Sequence, residues 1–295
     1  MTFSTGTIAA FLVGGILAIL IPIAALIIFK LKNKDVKLRY FFIGAAAFVV
    51  FALILEQILH YFMLTTIQNS GIVFYTLYGA LCAGIFEETG RFLAFKLFCK
   101  NENDPRASIM YGLGHGGIEA IVLVGITLIS YAVTAAAVNS LGTEVLFGAL
   151  PDEQRLAAEA QLTALTDYDM VSTFVSLGER ILAIVLHTSL SVIVFASIKM
   201  KGRLWLYPAA IVLHAIFDVP AALYQRGVIT SIGMTELLLF AADIVLVFVT
   251  VKIYRAMKAE LAKRSEQVTA AETPAKEPQK VNSATETVNS ASETE

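Results

Sequence analysis

The sequence has little charge, little cysteine and little histidine for its length. Of its 295 residues, 16% are charged, two are cysteine and four are histidine, whereas 57% are hydrophobic. Soluble domains carry about 25% charged and about 45–50% apolar residues, so this balance excludes an ordinary soluble globular domain. It also excludes a disordered chain and a disulfide scaffold, and a formal net charge of −2 gives no electrostatic reason to bind nucleic acid.

Long apolar runs fill most of the chain. A bilayer core about 30 Å thick needs about 20 apolar residues per helix. We predict an all-α, polytopic membrane protein whose transmembrane domain covers residues 1–256. The start of the chain has no lysine or arginine and no clean A-x-A cleavage site, so the first segment is predicted to be retained rather than removed as a signal peptide. The predicted transmembrane helices are 6–29, 40–64, 71–98, 107–137, 170–198, 204–225 and 230–254.

The charges of the loops predict the orientation of these helices. Lysine and arginine are concentrated in the loops 30–39, 99–106 and 199–203 and directly after the last span. The alternate loops, 65–70, 138–169 and 226–229, hold few basic residues. Because basic loops stay on the cytoplasmic side, we predict an N-terminus outside and a C-terminus in the cytoplasm.

Two segments are predicted to lie outside the membrane. Residues 151–167, inside the extracytoplasmic loop 138–169, begin with proline and acids and continue with alanine and leucine, which predicts a short helix. That helix is either a connector or a lid over a site. Residues 257–295 contain almost no large apolar residues, which predicts a disordered cytoplasmic tail.

Ionisable residues occur inside several of the predicted spans, where they are rare and mark functional sites by default. They come in helically spaced sets, so the members of each set share a face. In the last set, the carboxylate is placed to accept the imidazole N–H and fix its tautomer. The sets are Glu87, Glu88 and Arg91; His115 and Glu119; Arg180 and His187; and His214 and Asp218.

The depths of these residues agree with one another. Four of them lie 8 to 11 positions from the predicted cytoplasmic end of their span: Glu87, His115, His187 and His214. At 1.5 Å per residue this places them in one layer about 12–17 Å deep, on four different helices. Glu56 and His60 lie nearer the outer face and are interpreted as a structural polar pair.

A glutamate with several histidines at one depth favours activation of water. Glu87 or Glu88 is a candidate general base, Arg91 is placed to hold the second glutamate, and His214 is a candidate proton donor. The same residue types also bind divalent metals such as zinc. The spacing H-E-x-x-H is absent, so a metal-free mechanism stays open. The candidate metal ligands are Glu87, His115, His187 and His214.

The order of these motifs resembles that of the glutamate-type intramembrane proteases, which include the CAAX-processing and bacteriocin-immunity (ABI) family and the PrsW family. The fuller pattern, EETGR, GLGHGGIEA and LHAIFD, is most similar to the YhfC family of intramembrane metalloproteases over roughly residues 40–250. The resemblance implies that Glu87 is the catalytic glutamate and that the other motif residues are Glu88, Arg91, His187, His214 and Asp218. His115 and Glu119 fit the YhfC-like pattern, and Arg180 is a further site candidate.

The leading functional hypothesis is therefore an intramembrane endopeptidase that cuts a membrane protein or peptide near the cytoplasmic leaflet. Its predicted location is the plasma membrane of a bacterium. Two alternatives stay open at this point. One is a proton- or ion-coupled transporter that uses the same buried groups as a relay. The other is a non-catalytic interaction or immunity protein of the same fold.

Overall fold

The chain is helical throughout the part that the computed structural model describes, residues 1–272, and that part contains no β-strand. The predicted all-α class is therefore confirmed. In chain order the helices are α1 (Thr5–Lys32), α2 (Arg39–Gln68), α3 (Ile72–Phe98), α4 (Arg106–Leu141), α5 (Thr143–Phe147), α6 (Asp152–Ala164), α7 (Met170–Lys199), α8 (Leu206–Gln225) and α9 (Ile232–Glu272).

Each of the seven predicted spans coincides with a helix, and six of these helices are long and apolar enough to cross a membrane. The exception is α3, because its two glutamates and its arginine lower its mean hydropathy. It nevertheless has 27 residues, about 40 Å of helix, and buries Thr76, Ala80 and Gly84 as well as its charged residues. The protein is a multi-pass membrane protein, with α3 as a further helix of the same bundle.

Glycines let the helices approach closely around the polar residues. A Cβ at Gly114 on α4 would overlap the carbonyl oxygen of Phe41 on α2. A Cβ at Gly112 would lie 2.5 Å from the Cα of Thr188 on α7, and one at Gly84 on α3 would lie 2.7 Å from the carbonyl oxygen of Ile211 on α8. The glycines around His115 thus allow α4 to pack closely between α2 and α7.

Two helices change their winding next to buried glutamates. In α2 the stretch Val49–Glu56 is a π-helix, and in α4 the stretch Ala120–Ile126 is a π-helix that begins directly after Glu119. Each widened turn shifts the register of the residues that follow it, and π-helical turns often occur at functional sites. The apolar periodicity of the sequence carries no signal for them.

At the basic end of the bundle, polar contacts join the loops that precede α2 and α4. Arg106 donates to Asp104 at 3.1 Å and to Asp35 at 3.1 Å. The hydrogen bond from Arg106 lowers the pKa of the Asp35 carboxyl below its usual value. These exposed contacts fix how α1 and α2 connect, at the end of the bundle where the basic loops lie.

At the opposite end, the predicted helix within 151–167 forms α6, and α4 continues into the predicted loop as far as Leu141. Leu162 of α6 packs with Phe11 of α1 and Leu128 of α4. The chain then enters α7 through Asp169, whose carboxylate accepts a hydrogen bond from the backbone N–H of Ser172 at 2.8 Å. That hydrogen bond lowers the pKa of Asp169.

The last helix does not end at the predicted domain boundary of residue 256, because α9 continues to Glu272. The first part of the predicted disordered tail is therefore helical. Its alanine, lysine and glutamate residues are good helix formers, and the side chain of Arg264 donates to the carbonyl oxygen of Lys199 at 3.0 Å, which ties this part to the end of α7. The rest of the predicted tail, 273–295, lies outside the described residues.

Candidate active site and metal centre

The ionisable residues of four membrane helices converge in the bundle interior. We call them the inner cluster, and they come from α3, α4, α7 and α8. Their side chains are buried except those of Glu119 and Asp218, whose exposed fractions are 12% and 36%. The cluster consists of Glu87, Glu88, Arg91, His115, Glu119, Arg180, His187, His214 and Asp218.

Glu87 lies at the centre of this cluster. Its Oε2 is 2.8 Å from Nε2 of His115 and 3.8 Å from Nδ1 of His187. Its Oε1 faces Nε2 of His214 at 3.9 Å. One ligand atom from each of Glu87, His115 and His187 lies within 4.8 Å of the others, a group of buried residues that could hold a metal ion. His214 faces this group but is not a member of it.

Glu88 makes different contacts, although it follows Glu87 directly. It is fully buried, it pairs with Arg91 one turn later on α3, and its Oε1 is 2.8 Å from Nδ1 of His214 on α8. The sequence predicts that Asp218 takes the imidazole N–H of His214, but the structure places Glu88 at that hydrogen bond. Asp218 instead lies 3.6 Å from the other ring nitrogen, Nε2.

His187 is held between two charged groups. The Arg91 guanidinium lies 3.1 Å from its Nδ1, and because a guanidinium only donates, Nδ1 accepts. Nε2 then carries the proton of the neutral ring and lies 2.5 Å from Oε2 of Glu119. Arg91 therefore connects Glu88 to His187, and the tautomer of His187 follows from its neighbours.

Arg180 lies at the edge of the inner cluster. It donates to Glu119 at 2.9 Å and to Glu179 at 2.5 Å. The sequence pairs His115 with Glu119 and Arg180 with His187 on shared helix faces. In the structure each of these residues finds its partner on a neighbouring helix, since Glu119 bridges Arg180 and His187 while His115 contacts Glu87.

A second polar group lies apart from the inner cluster. Nε2 of His60 is 3.2 Å from Glu56 on the same helix, and Nδ1 of His60 is 2.9 Å from the hydroxyl of Tyr78 on α3. We call Glu56, His60 and Tyr78 the outer triad. The His60 side chain keeps 29% of its exposure. The sequence predicts that Glu56 and His60 lie outside the inner layer. Among the described residues, no hydrogen bond or ion pair connects Glu56 or His60 to the inner cluster.

A cavity of about 480 Å³ connects the two polar groups. Its wall includes Glu87, His187 and His214 on one side and His60 on the other. From there it runs along the ends of α2, α3 and α8 that lie opposite the basic loops, where Leu64, Tyr75 and Gln225 line it. Its wall includes no residue of α6, which therefore does not act as a lid in this conformation.

Sequence reasoning missed several polar residues near these groups. They are Tyr78, Glu179 and Asp243, none of which was predicted as a site residue, and all three line the cavity. Glu179 and Asp243 had a signal in the sequence, since each is a carboxylate inside a predicted span. Tyr78 had none, because its relevance depends on a contact with another helix.

The sequence is similar to a known protein family and to a curated protein. Residues 17–239 match the model of a family described as the YhfC intramembrane metalloproteases. The chain is also 37% identical over 231 residues to a protein of Bacillus subtilis (strain 168) named "Uncharacterized membrane protein YhfC". That alignment covers 76% of this chain and 87% of the relative. No solved structure gives a significant match.

Proposed function

This chain belongs to the YhfC intramembrane metalloprotease family, and from that premise we propose that it is an endopeptidase that hydrolyses a peptide bond inside the membrane. The observation that carries the proposal is the buried group of Glu87, His115 and His187, which come from three different helices. The family name gives no residue a role, and the contacts within the inner cluster support the roles that we propose for its members.

The donor set of this group suits a divalent metal. Two imidazoles and one carboxylate are a known ligand set of catalytic zinc, which leaves a position open for a reactant. The carboxylate oxygen and Nε2 of His115 lie 2.8 Å apart in a buried site, so they must share either a proton or a cation. We therefore assign Glu87, His115 and His187 as the residues that would hold zinc. A zinc ion bound there would supply Lewis-acid polarisation of the scissile carbonyl and the attacking water.

Binding of a metal by His187 has a structural consequence. Its Nδ1 accepts from Arg91 and its Nε2 faces Glu119, so both ring nitrogens already have partners. A cation that takes either nitrogen must displace one of these contacts. Arg91 is the partner at the ring nitrogen that faces Glu87, so we propose that Arg91 yields to the metal while it keeps its ion pair with Glu88.

Glu87 and His214 are placed to handle the protons of the reaction. Oε1 of Glu87 and Nε2 of His214 lie 3.9 Å apart, a separation that suits two groups sharing one oxygen atom between them. In this arrangement Glu87 accepts a proton from the attacking water. His214 donates a hydrogen bond to the developing oxyanion and then a proton to the leaving amine.

The remaining residues of the cluster position these two. Glu88 holds Nδ1 of His214, which leaves Nε2 pointing toward Glu87. Arg91 neutralises Glu88, and Asp218 lies beside the reacting face of His214. A substrate reaches this point through the cavity, from the end opposite the basic loops. With the predicted orientation this is the outer side, while the cleavage point lies in the cytoplasmic half of the bilayer of a bacterial plasma membrane.

Metal content tests the assignment of the ligands. Wild-type protein and the variants His115→Ala, His187→Ala and His60→Ala are purified in detergent, and their metal is measured by plasma mass spectrometry. Stoichiometric zinc is expected in wild type and His60→Ala and is expected to be lost in the other two. Full metal in His115→Ala and His187→Ala would overturn the metal centre.

Cleavage is tested by comparing the newly formed N-termini of membrane proteins in cells that make wild type or Glu87→Gln. Glu87→Gln removes both a proposed zinc ligand and the proposed general base, and loss of a general base alone costs about 10²–10⁴-fold in rate. Cleavage products should therefore appear with wild type and be absent with the variant. Glu56→Gln is the matched control, because it removes another buried membrane glutamate. Identical products with wild type and Glu87→Gln would overturn the proposal.

A further inference from the structure

Asp243 on α9 is a buried acid in the wall of the cavity, and the proposed mechanism does not use it. The exposed fraction of this residue is 3%. Among the described residues, neither of its carboxylate oxygens has a hydrogen-bond partner. The other residue that α9 contributes to the cavity wall is Leu239, one turn earlier. A buried charge without a partner is costly in a membrane helix, so Asp243 calls for a partner from outside the chain.

The charged residues along the cavity indicate whether that partner should be a cation or an anion. Five carboxylates line the cavity: Glu87, Glu119, Glu179, Asp218 and Asp243. Among the described residues of its wall, Arg180 is the one lysine or arginine, and it already pairs with Glu119 and Glu179. After Glu87 is neutralised by the metal, the cavity still has an excess of negative charge. Its wall therefore complements a cation.

Asp243 lies at about the same depth in the bundle as His214, one of the proposed reacting groups. Asp243 lies 11 residues after Ile232 at the start of α9, and His214 lies 11 residues before Gln225 at the end of α8. Both helix ends lie on the side of the bundle opposite the basic loops, so the two residues are at about the same depth, roughly 16 Å along their helices. A group bound to Asp243 would therefore lie in the same cavity as the reacting groups and at about their depth.

We propose that Asp243 is a specificity-determining residue that binds the ammonium or guanidinium group of a lysine or arginine side chain in the substrate, near the bond to be cut. This role rests on the proposed peptidase function. Binding of a cationic side chain on an apolar peptide in this cavity does not itself require cleavage, so it can be tested separately. The apolar part of the wall, with residues such as Ala183, Leu186 and Leu239, suits the alkyl stem of such a side chain.

Binding of two matched peptides to a non-cleaving protein tests this role. One fluorescent, capped apolar peptide carries a single central lysine, and in the other norleucine replaces that lysine. Both are titrated against full-length Glu87→Gln protein in detergent, and their anisotropy is measured. We expect the lysine peptide to bind about tenfold more tightly, as expected for one hydrogen bond to a charged group. That ratio should fall to about one in Glu87→Gln/Asp243→Asn.

The matched control is Glu87→Gln/Glu236→Gln. Glu236 lies on the same helix as Asp243 but is half-buried and is not part of the cavity wall, so the tenfold ratio should persist in this variant. A ratio of one in the Glu87→Gln protein, or an unchanged ratio with Asp243→Asn, would overturn the inference. If wild type cleaves no membrane protein and the ratio is nevertheless tenfold, the proposed peptidase fails while the cation site stands.

Discussion

The inner cluster and the outer triad use the same residue types, yet they differ in how many helices meet. In the outer triad, Glu56 and His60 are one turn apart on α2, and Tyr78 of α3 completes the contact. The inner cluster draws its groups from four helices and includes two arginines. A glutamate and a histidine on one helix form a polar pair, whereas the convergence of helices brings three ligand-capable residues together.

Burial separates the pair of Glu88 and Arg91 in the inner cluster from His60 in the outer triad. Arg91 and Glu88 have no exposed side-chain surface, while the His60 side chain keeps 29%. Water or lipid headgroups can compensate for a polar side chain that is partly exposed, but a fully buried charge depends on its protein partner. The loss of a partner should therefore be more costly in the inner cluster than in the outer triad.

The largest expected effect on stability comes from Arg91→Met. This change leaves Glu88 buried without a cation and removes the hydrogen bond to His187, and loss of one partner of a buried ion pair costs about 3–5 kcal/mol. A thiol-reactive dye measures unfolding in detergent, because Cys99 is buried in the fold. His60→Ala is the comparison in the outer triad and should shift the transition far less. Equal shifts would mean that losing a partner is no more costly in the inner cluster than in the outer triad.

The sequence predicts which residues meet, but not how they pair. Counting depth from the basic loops places Glu87, His115, His187 and His214 in one layer, and the structure brings these side chains together. Helical spacing pairs His115 with Glu119, and such a pair can form a contact within one helix, as Glu56 and His60 do. In the inner cluster His115 instead contacts Glu87 on α3, while Glu119 contacts α7, and these neighbouring helices cannot be identified from one sequence.

Gly114→Ala should have the next largest effect, because it prevents α2 and α4 from approaching as they do. The added Cβ would overlap the carbonyl oxygen of Phe41, and overpacking of this kind costs about 1–3 kcal/mol. His115 is the next residue, so the zinc content should fall as well. Thermal unfolding and metal analysis of the purified variant measure the two effects.

Gly79→Ala is the matched control for this change. A Cβ at Gly79 in α3 would meet nothing within 4 Å, so alanine there should be neutral or should stabilise the helix by up to about 1 kcal/mol. Metal content should stay at the wild-type level. If both alanine variants behave alike, close packing at Gly114 is not what places His115.

The fold was more predictable than its irregularities. Apolar runs predict the seven long helices because hydrophobic length is a property of the sequence alone, whereas the short α5 lies in a segment predicted to be a loop. No apolar pattern marks the π-helical stretches next to Glu56 and Glu119. The continuation of α9 beyond residue 256 is accompanied by a hydrogen bond from Arg264 to the end of α7, a long-range contact that one sequence does not reveal.

The smallest expected effect, and the sharpest test of the comparison, comes from Tyr78→Phe. The change removes the hydroxyl bound to His60 and nothing else, so the free energy of unfolding should fall by about 0.5–1.5 kcal/mol. Zinc content and cleavage should stay at the wild-type level, because His60 and Tyr78 line the cavity without belonging to the metal group. Loss of zinc in Tyr78→Phe would place the outer triad within the same site. A slower reaction with full metal content would instead indicate that His60 acts on the substrate from across the cavity.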